Sequence, residues 1–229
     1  MNRRHTTVEA LALSVLFISF AVVGFLILES AFPGEFQKIT GFTVSSVYII
    51  SPIPIDCNMT LEPAWNLLSF FCITTAQDID EVLGNLSNST IIFTYRAADL
   101  NDPWKVYNPN MPVWVVQDLN TLSRTEAYWM YFDFLNSTSY FFNGSKRVPT
   151  HISLVSGWNF VGYPTNIDRD VALALTSLDN QYAQVLSYNN TAEIYTSYTP
   201  GSGGTLNQTM SYHGYWMLMD TGKTWVVDW

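Results

Sequence analysis

Three histidines, nineteen acids and two cysteines are the usual raw material for catalysis in this chain. Most of them lack the spacing that chemistry needs. His5, His151 and His213 stand far apart, with no cysteine or acid at the intervals of a zinc ligand set, so no metal site is expected. Acids gather at Asp78, Asp80 and Glu81 and again at Asp168 and Asp170. Paired carboxylates can hydrolyse glycosides or, with carbonyl oxygens, hold calcium. Both clusters, however, precede a short helical pattern, where capping and the helix dipole already account for acids. Gly201-Ser202-Gly203-Gly204 lacks the Lys-Ser/Thr of a phosphate loop and reads as a hairpin tip. No catalytic residue and no cofactor are expected, and the chain reads as a non-enzyme.

Two residue classes remain. Aromatic rings stack on sugars, and Trp104, Tyr107, Tyr195 and Tyr198 fall on segments expected to be exposed, which makes them the candidate ligand aromatics. Trp65, Trp129, Trp158 and Trp216 recur beside apolar neighbours and are expected between sheet and helix, with Asn66 and Asn159 bonded to turn backbone. The second class is the asparagine of Asn-x-Ser/Thr, found at Asn58, Asn85, Asn88, Asn136, Asn143, Asn189 and Asn207 with no intervening proline. As acceptor sites these belong on exported surface loops. Cys57 and Cys72 are fifteen positions apart. In an oxidising compartment a disulfide between them would contribute roughly 3 kcal/mol through loop closure.

The elements that must position these residues are written twice. Leu61-Glu62-Pro63-Ala64-Trp65-Asn66-Leu67 is echoed 93 residues later by Leu154-Val155-Ser156-Gly157-Trp158-Asn159-Phe160. A hairpin is expected at each Trp-Asn. A helical face follows (Ile79, Val82, Leu83 and Leu86; then Val171, Ala174, Leu175 and Leu178). Next come a strand ending at Tyr95 or Tyr188, the stretch from Trp104 to Pro109 or Ile194 to Pro200, and an aromatic strand around Trp129 or Trp216. Thr150 and Thr165 stand near the places of the cysteines in the second copy, so a disulfide would be private to the first. This order resembles a module of bacterial and archaeal cell-surface proteins, Gly-Trp-Asn-Leu-(Ile/Val)-Ser-x-Pro early and Gly-x-Gly-Tyr-Trp-Ile late. The second copy keeps Gly157, Pro164 and Gly214, where the first has Ala64, Phe71 and Ala127. The resemblance implies an exported, repeat-built surface protein and carries no catalytic residues.

The N-terminus supports export. Arg3 and Arg4 precede 19 uncharged residues, 10–28, close to the length of a bilayer-spanning helix, and Glu29 and Glu35 follow. An uncleaved signal anchor with the C-terminal bulk outside is expected. The segment Arg4-His5-Thr6-Thr7-Val8-Glu9 before an apolar run is also similar to the start of type IV pilins. That likeness implies a filament-core helix, with Glu9 pairing to a neighbouring subunit's amino terminus.

A net charge of −9 with 13% charged residues repels polyanions, so nucleic acid is excluded as a partner, while 15% aromatics supply a core. The expected architecture is a leader or cytoplasmic segment (1–9), a hydrophobic transmembrane-type helix (10–30), and two mainly β, α+β modules with one short helix each (36–143 with its leading strand, and 144–229). The expected function is a membrane-anchored extracellular glycoprotein of structural or adhesive role. The alternatives are a pilin-like filament subunit and a carbohydrate-binding surface module. Expected partners are membrane lipid or copies of itself through residues 10–28, other surface-layer or filament proteins, and glycans.

Overall fold

The computed structural model describes residues 53–73, 76–112, 114–146 and 148–229, all within one compact unit spanning Ile50–Trp229. Strands account for 49% of it and helix for only 10%. No helix among the described residues is long and apolar enough to cross a membrane. The expected fold class is corrected accordingly: this is a β fold in which each repeat keeps one α-helical turn. The anchor or filament helix at 10–30, its partners through 10–28 and Glu9 lie outside the described residues.

The first repeat comprises β1 (Ile53–Leu61), β2 (Ala64–Leu68), β3 (Gln77–Asp78), α1 (Ile79–Leu83), a 3-10 segment (Gly84–Asn88), β4 (Ile91–Tyr95), β5 (Trp104–Tyr107), β6 (Thr121–Leu122), β7 (Tyr128–Phe132) and β8 (Thr138–Lys146). The second comprises β9 (Thr150–Leu154), β10 (Gly157–Gly162), β11 (Arg169–Asp170), α2 (Val171–Ala174), a 3-10 segment (Thr176–Leu178), β12 (Tyr182–Asn189), β13 (Ile194–Thr199), β14 (Gly203–Gly204), β15 (Gln208–Thr209), β16 (Gly214–Met219) and β17 (Lys223–Val227). The main sheets run β2-β7-β4-β5 and β10-β16-β12-β13-β14, and β1-β8 and β9-β17 form separate antiparallel pairs. The expected hairpin at each Trp-Asn is therefore corrected: the turn is tight, but it hands the chain from one sheet to another. Because β8 runs to Lys146 against β1, the first repeat also extends past residue 143.

Strand alternation sorts the side chains. In β7, Tyr128, Met130 and Phe132 are buried while Trp129 and Tyr131 face the other way. The buried set joins Ile79, Val82 and Leu83 of α1 in the first core, and Tyr215, Met217 and Met219 of β16 do the same with Val171 of α2 in the second. Helices of four or five residues cannot satisfy their own last carbonyls. Tyr140 Oη donates to the Val82 carbonyl at 2.6 Å, and the buried Trp225 Nε1 donates to Ala174 at 2.8 Å. Asp170 Oδ1 accepts from Ala172 N (2.9 Å) and Leu173 N (3.2 Å), capping α2.

The turn before each Trp is held by the asparagine after it. Asn66 Oδ1 accepts from Glu62 N at 2.9 Å, and Nδ2 donates to the Glu62 and Ala64 carbonyls at 2.8 and 3.2 Å. Asn159 repeats this with Val155 N (2.9 Å), Val155 O (2.7 Å) and Gly157 O (3.0 Å). Both amides are buried. The Trp lies on the opposite face of the strand.

The repeats join reciprocally. Leu68 bridges His213 and Glu126 bridges Val161. Leu68 and Val161 are counterparts in the two copies, as are Glu126 and His213. Ser69 N donates to Tyr212 O (2.8 Å), and its counterpart Gly162 N donates to Thr125 O (3.0 Å). An isologous contact has this form, residue i on j and j on i, here within one chain. Gly162 is required by the approach, since a Cβ there would sit 2.6 Å from the Glu126 carbonyl oxygen. The Cys57–Cys72 disulfide, with both residues fully buried, ties β1 to the segment after β2 and has no counterpart in the second repeat.

Candidate functional site

Rings turned away from the two cores meet at the seam. Leu67, Ala127 and Phe160 are buried there among Tyr95, Trp129, Tyr188 and Trp216. Trp129 of the first repeat contacts Tyr188 (5.0 Å between centroids) and Tyr195 (6.2 Å) of the second. Trp216 of the second contacts Tyr95 (5.4 Å) and Trp104 (5.9 Å) of the first. Pairing through β4-β5 and β12-β13 sets Trp104 opposite Tyr95 and Tyr195 opposite Tyr188, so Trp104 and Tyr195 are counterparts and the four contacts form two equivalent pairs.

Beyond the closed part of the seam the aromatic faces stay open. One pocket of about 420 Å³ is lined by Trp65, Phe93, Trp104, Trp129 and Tyr188. Another of about 430 Å³ is lined by Trp104, Trp129, Trp158, Leu186, Tyr195 and Trp216. Trp104 and Trp129 line both, which makes them one cleft with two quasi-equivalent halves. Its rings are accessible: Trp65 is 40%, Trp104 48%, Trp158 37% and Tyr195 55% exposed. Mutual contacts hold them in place, with Trp65 against Trp129 (6.5 Å) and Tyr131 (5.3 Å), and Trp158 edge-on to Trp216 (6.3 Å).

No lining residue of either pocket is charged. Burial raises the Tyr188 phenol, with Glu193 adding to the effect, and burial with Tyr188 beside it raises Tyr195. Both hydroxyls are therefore neutral at physiological pH and can donate or accept. Lys105, the one lysine or arginine within β4, β5, β12 and β13, is bound by Asp99 (3.0 Å), Asp102 (3.1 Å) and Asp118 (3.2 Å). Such a site offers flat π-faces and a few hydroxyls, which suits the C–H face of a neutral pyranose and offers nothing to an anion.

Of the four candidate ligand aromatics, the structure brings Trp104 and Tyr195 into the cleft. Tyr107 and Tyr198, three residues further along the same strands, project from the opposite face and pack against the two cores. All seven sequon asparagines, Asn58, Asn85, Asn88, Asn136, Asn143, Asn189 and Asn207, are exposed. Cys57 and Cys72 are joined. The residues missed by sequence reasoning are Trp65, Phe93, Trp129, Tyr188, Trp158, Leu186 and Trp216, four of them tryptophans expected in the core. Alternation was the available signal: Trp129 cannot share a face with Tyr128 and Met130.

No protein-family model, curated protein or solved structure matches the chain. What it does must be read from its own geometry.

Proposed function

We propose that this is an exported, non-enzymatic glycoprotein of adhesive role at the cell surface, and that its aromatic cleft binds neutral glycan chains. The observation carrying this reading is the cleft itself, in which tryptophans from both repeats are held half-exposed with no charged lining. Contiguous exposed aromatic surface costs solubility and persists where it is used for binding. The disulfide and the exposure of every sequon asparagine support export, because disulfides persist in oxidising compartments. The net charge of −9 favours a neutral glycan over an acidic one.

Losing one stacking ring from either half of such a site costs about 1–2 kcal/mol, or roughly tenfold in affinity. Titration of soluble neutral polysaccharides, followed by tryptophan fluorescence, should show saturable binding weakened by that factor in Trp65→Ala and in Trp158→Ala. Binding unaffected by either substitution would sink the reading.

A further inference from the structure

Exposure of the asparagine does not separate the seven sequons, but the hydroxyl two residues on and the local backbone do. A transferase acting on folded protein needs a reachable amide, a reachable Ser or Thr hydroxyl, and a sequon that is not paired in a ladder along its whole length. Three sequons fail on the hydroxyl. Ser87 is buried and donates to the Gly84 carbonyl (2.8 Å), Thr90 is buried and donates to Leu86 (2.7 Å), and Thr209 is buried and donates to Arg169 (3.1 Å). These belong to Asn85, Asn88 and Asn207. Two fail on the backbone: Asn58 and Asn143 lie inside the β1-β8 ladder, opposite Phe141 and Asp56.

Asn136 and Asn189 meet all three conditions. Asn136 lies in the bend between β7 and β8, and Ser137 and Thr138 after it are exposed. Asn189 is the last residue of β12 and closes the β12-β13 ladder opposite Ile194, while Asn190 and Thr191 after it lie outside that register; its Oδ1 accepts from Ala192 N at 2.9 Å, which leaves Nδ2 pointing away from that bond. Thr191 is exposed. The two sequons, distant in sequence, also converge. Thr191 Oγ1 donates to Glu62 Oε1 at 3.0 Å, and Ser137 Oγ donates to Glu62 Oε2. Glu62 and Asn189 line a polar groove of about 980 Å³ running across the seam, which gives attached sugars room to lie along the surface.

We infer that Asn136 and Asn189 are the sites N-glycosylated on the folded protein and that their glycans leave from one patch around Glu62. This rests on the export reading for its setting in the cell, though the geometry stands without it. In the reaction, Asn Nδ2 attacks the anomeric carbon of a polyprenyl-linked oligosaccharide. The C–N bond forms as the bond from that carbon to the lipid phosphate oxygen breaks, the lipid phosphate leaves with the electron pair, and the amide proton passes to base.

The test uses full-length protein from a non-glycosylating host, incubated with a single-subunit oligosaccharyltransferase and its polyprenyl-linked donor, then mapped by glycopeptide mass spectrometry. A second sample is reduced and unfolded first. The folded protein should be modified at Asn136 and Asn189, with Asn85, Asn88 and Asn207 slower by about tenfold or more because each requires local opening. Unfolding should erase that difference. Thr138→Ala and Thr191→Ala should each silence one site and leave the other. Equal modification of Asn207 and Asn189 on folded protein, or sugar at Asn136 and Asn189 only after unfolding, would overturn the inference. Export fails separately, if native protein is found reduced and inside the cell.

Discussion

Replacing Asn159 with Asp isolates the bonds that hold the Trp-Asn turn. The substitution keeps shape and retains the acceptor for Val155 N, but removes both donors, those to Val155 O (2.7 Å) and Gly157 O (3.0 Å). Two carbonyls at a buried position then face an anion. An unsatisfied buried acceptor costs about 1–3 kcal/mol, so Asn159→Asp should lose about 3 kcal/mol at neutral pH. The introduced carboxyl, buried among carbonyl oxygens, is held above its unfolded value of about 3.9. For an acid raised in the folded state, the penalty is small below that unfolded value, grows as pH rises through it, and levels off above the folded one. Urea denaturation of both proteins at several pH values, followed by tryptophan fluorescence, should therefore show a gap that widens from about pH 3 to about pH 7. Asn66→Asp should behave alike, because its three bonds are equivalent. A gap independent of pH, or one below about 1 kcal/mol, would refute this account of the turn.

Ala64 holds φ at 63° where its counterpart is Gly157 at 92°. Relief of about 1 kcal/mol of left-handed strain, partly offset by glycine's unfolded freedom, should make Ala64→Gly more stable by about 0.5 kcal/mol in thermal melts. Gly162→Ala drives a Cβ to 2.6 Å from Glu126 O and 2.9 Å from Arg124 O, so chemical denaturation should show a loss of about 2 kcal/mol; an unchanged midpoint would show that the seam yields freely. Burial, with Tyr198 beside it, pushes Tyr182 up to about 12, and burial also raises Tyr128, Tyr163 and Tyr215. These phenols stabilise the fold only while neutral, so stability should hold below about pH 10 and fall as pH rises beyond it. The last part of the tyrosinate absorbance should appear only together with loss of near-ultraviolet circular dichroism, and complete ionisation of the tyrosines with the fold intact would contradict this.

The duplication was legible because Trp-Asn, the Ile79/Val82/Leu83 face and the Tyr-Trp strands keep their order in both copies. Local bonds could also be anticipated: Asn66 and Asn159 fold back on the turns before them, and Asp170 caps α2. Strand pairing was less visible. Leu61 and Trp65 are near neighbours yet belong to β1 and β2, which pair with β8 and β7, and a tight turn alone does not disclose such a crossover. The site was half legible. Trp104, Tyr107, Tyr195 and Tyr198 all stand out as aromatic residues on segments expected to be exposed, but once those segments are strands the odd spacing of three puts Tyr107 and Tyr198 on the other face. Trp65 and Trp158 read as core residues in the sequence because apolar neighbours flank them. The second apolar environment, a seam between repeats, exists only once the copies dock.

The most direct test of the cleft is a glycan array probed side by side with wild-type protein and Trp104→Ala. Trp104 lines both halves of the cleft and is far enough into solvent for its removal to leave the fold intact. Retention of neutral pyranose chains by the wild type, lost in the variant, is the predicted result. Contradiction would come from an array on which no neutral glycan binds, or on which the variant binds as well as the wild type.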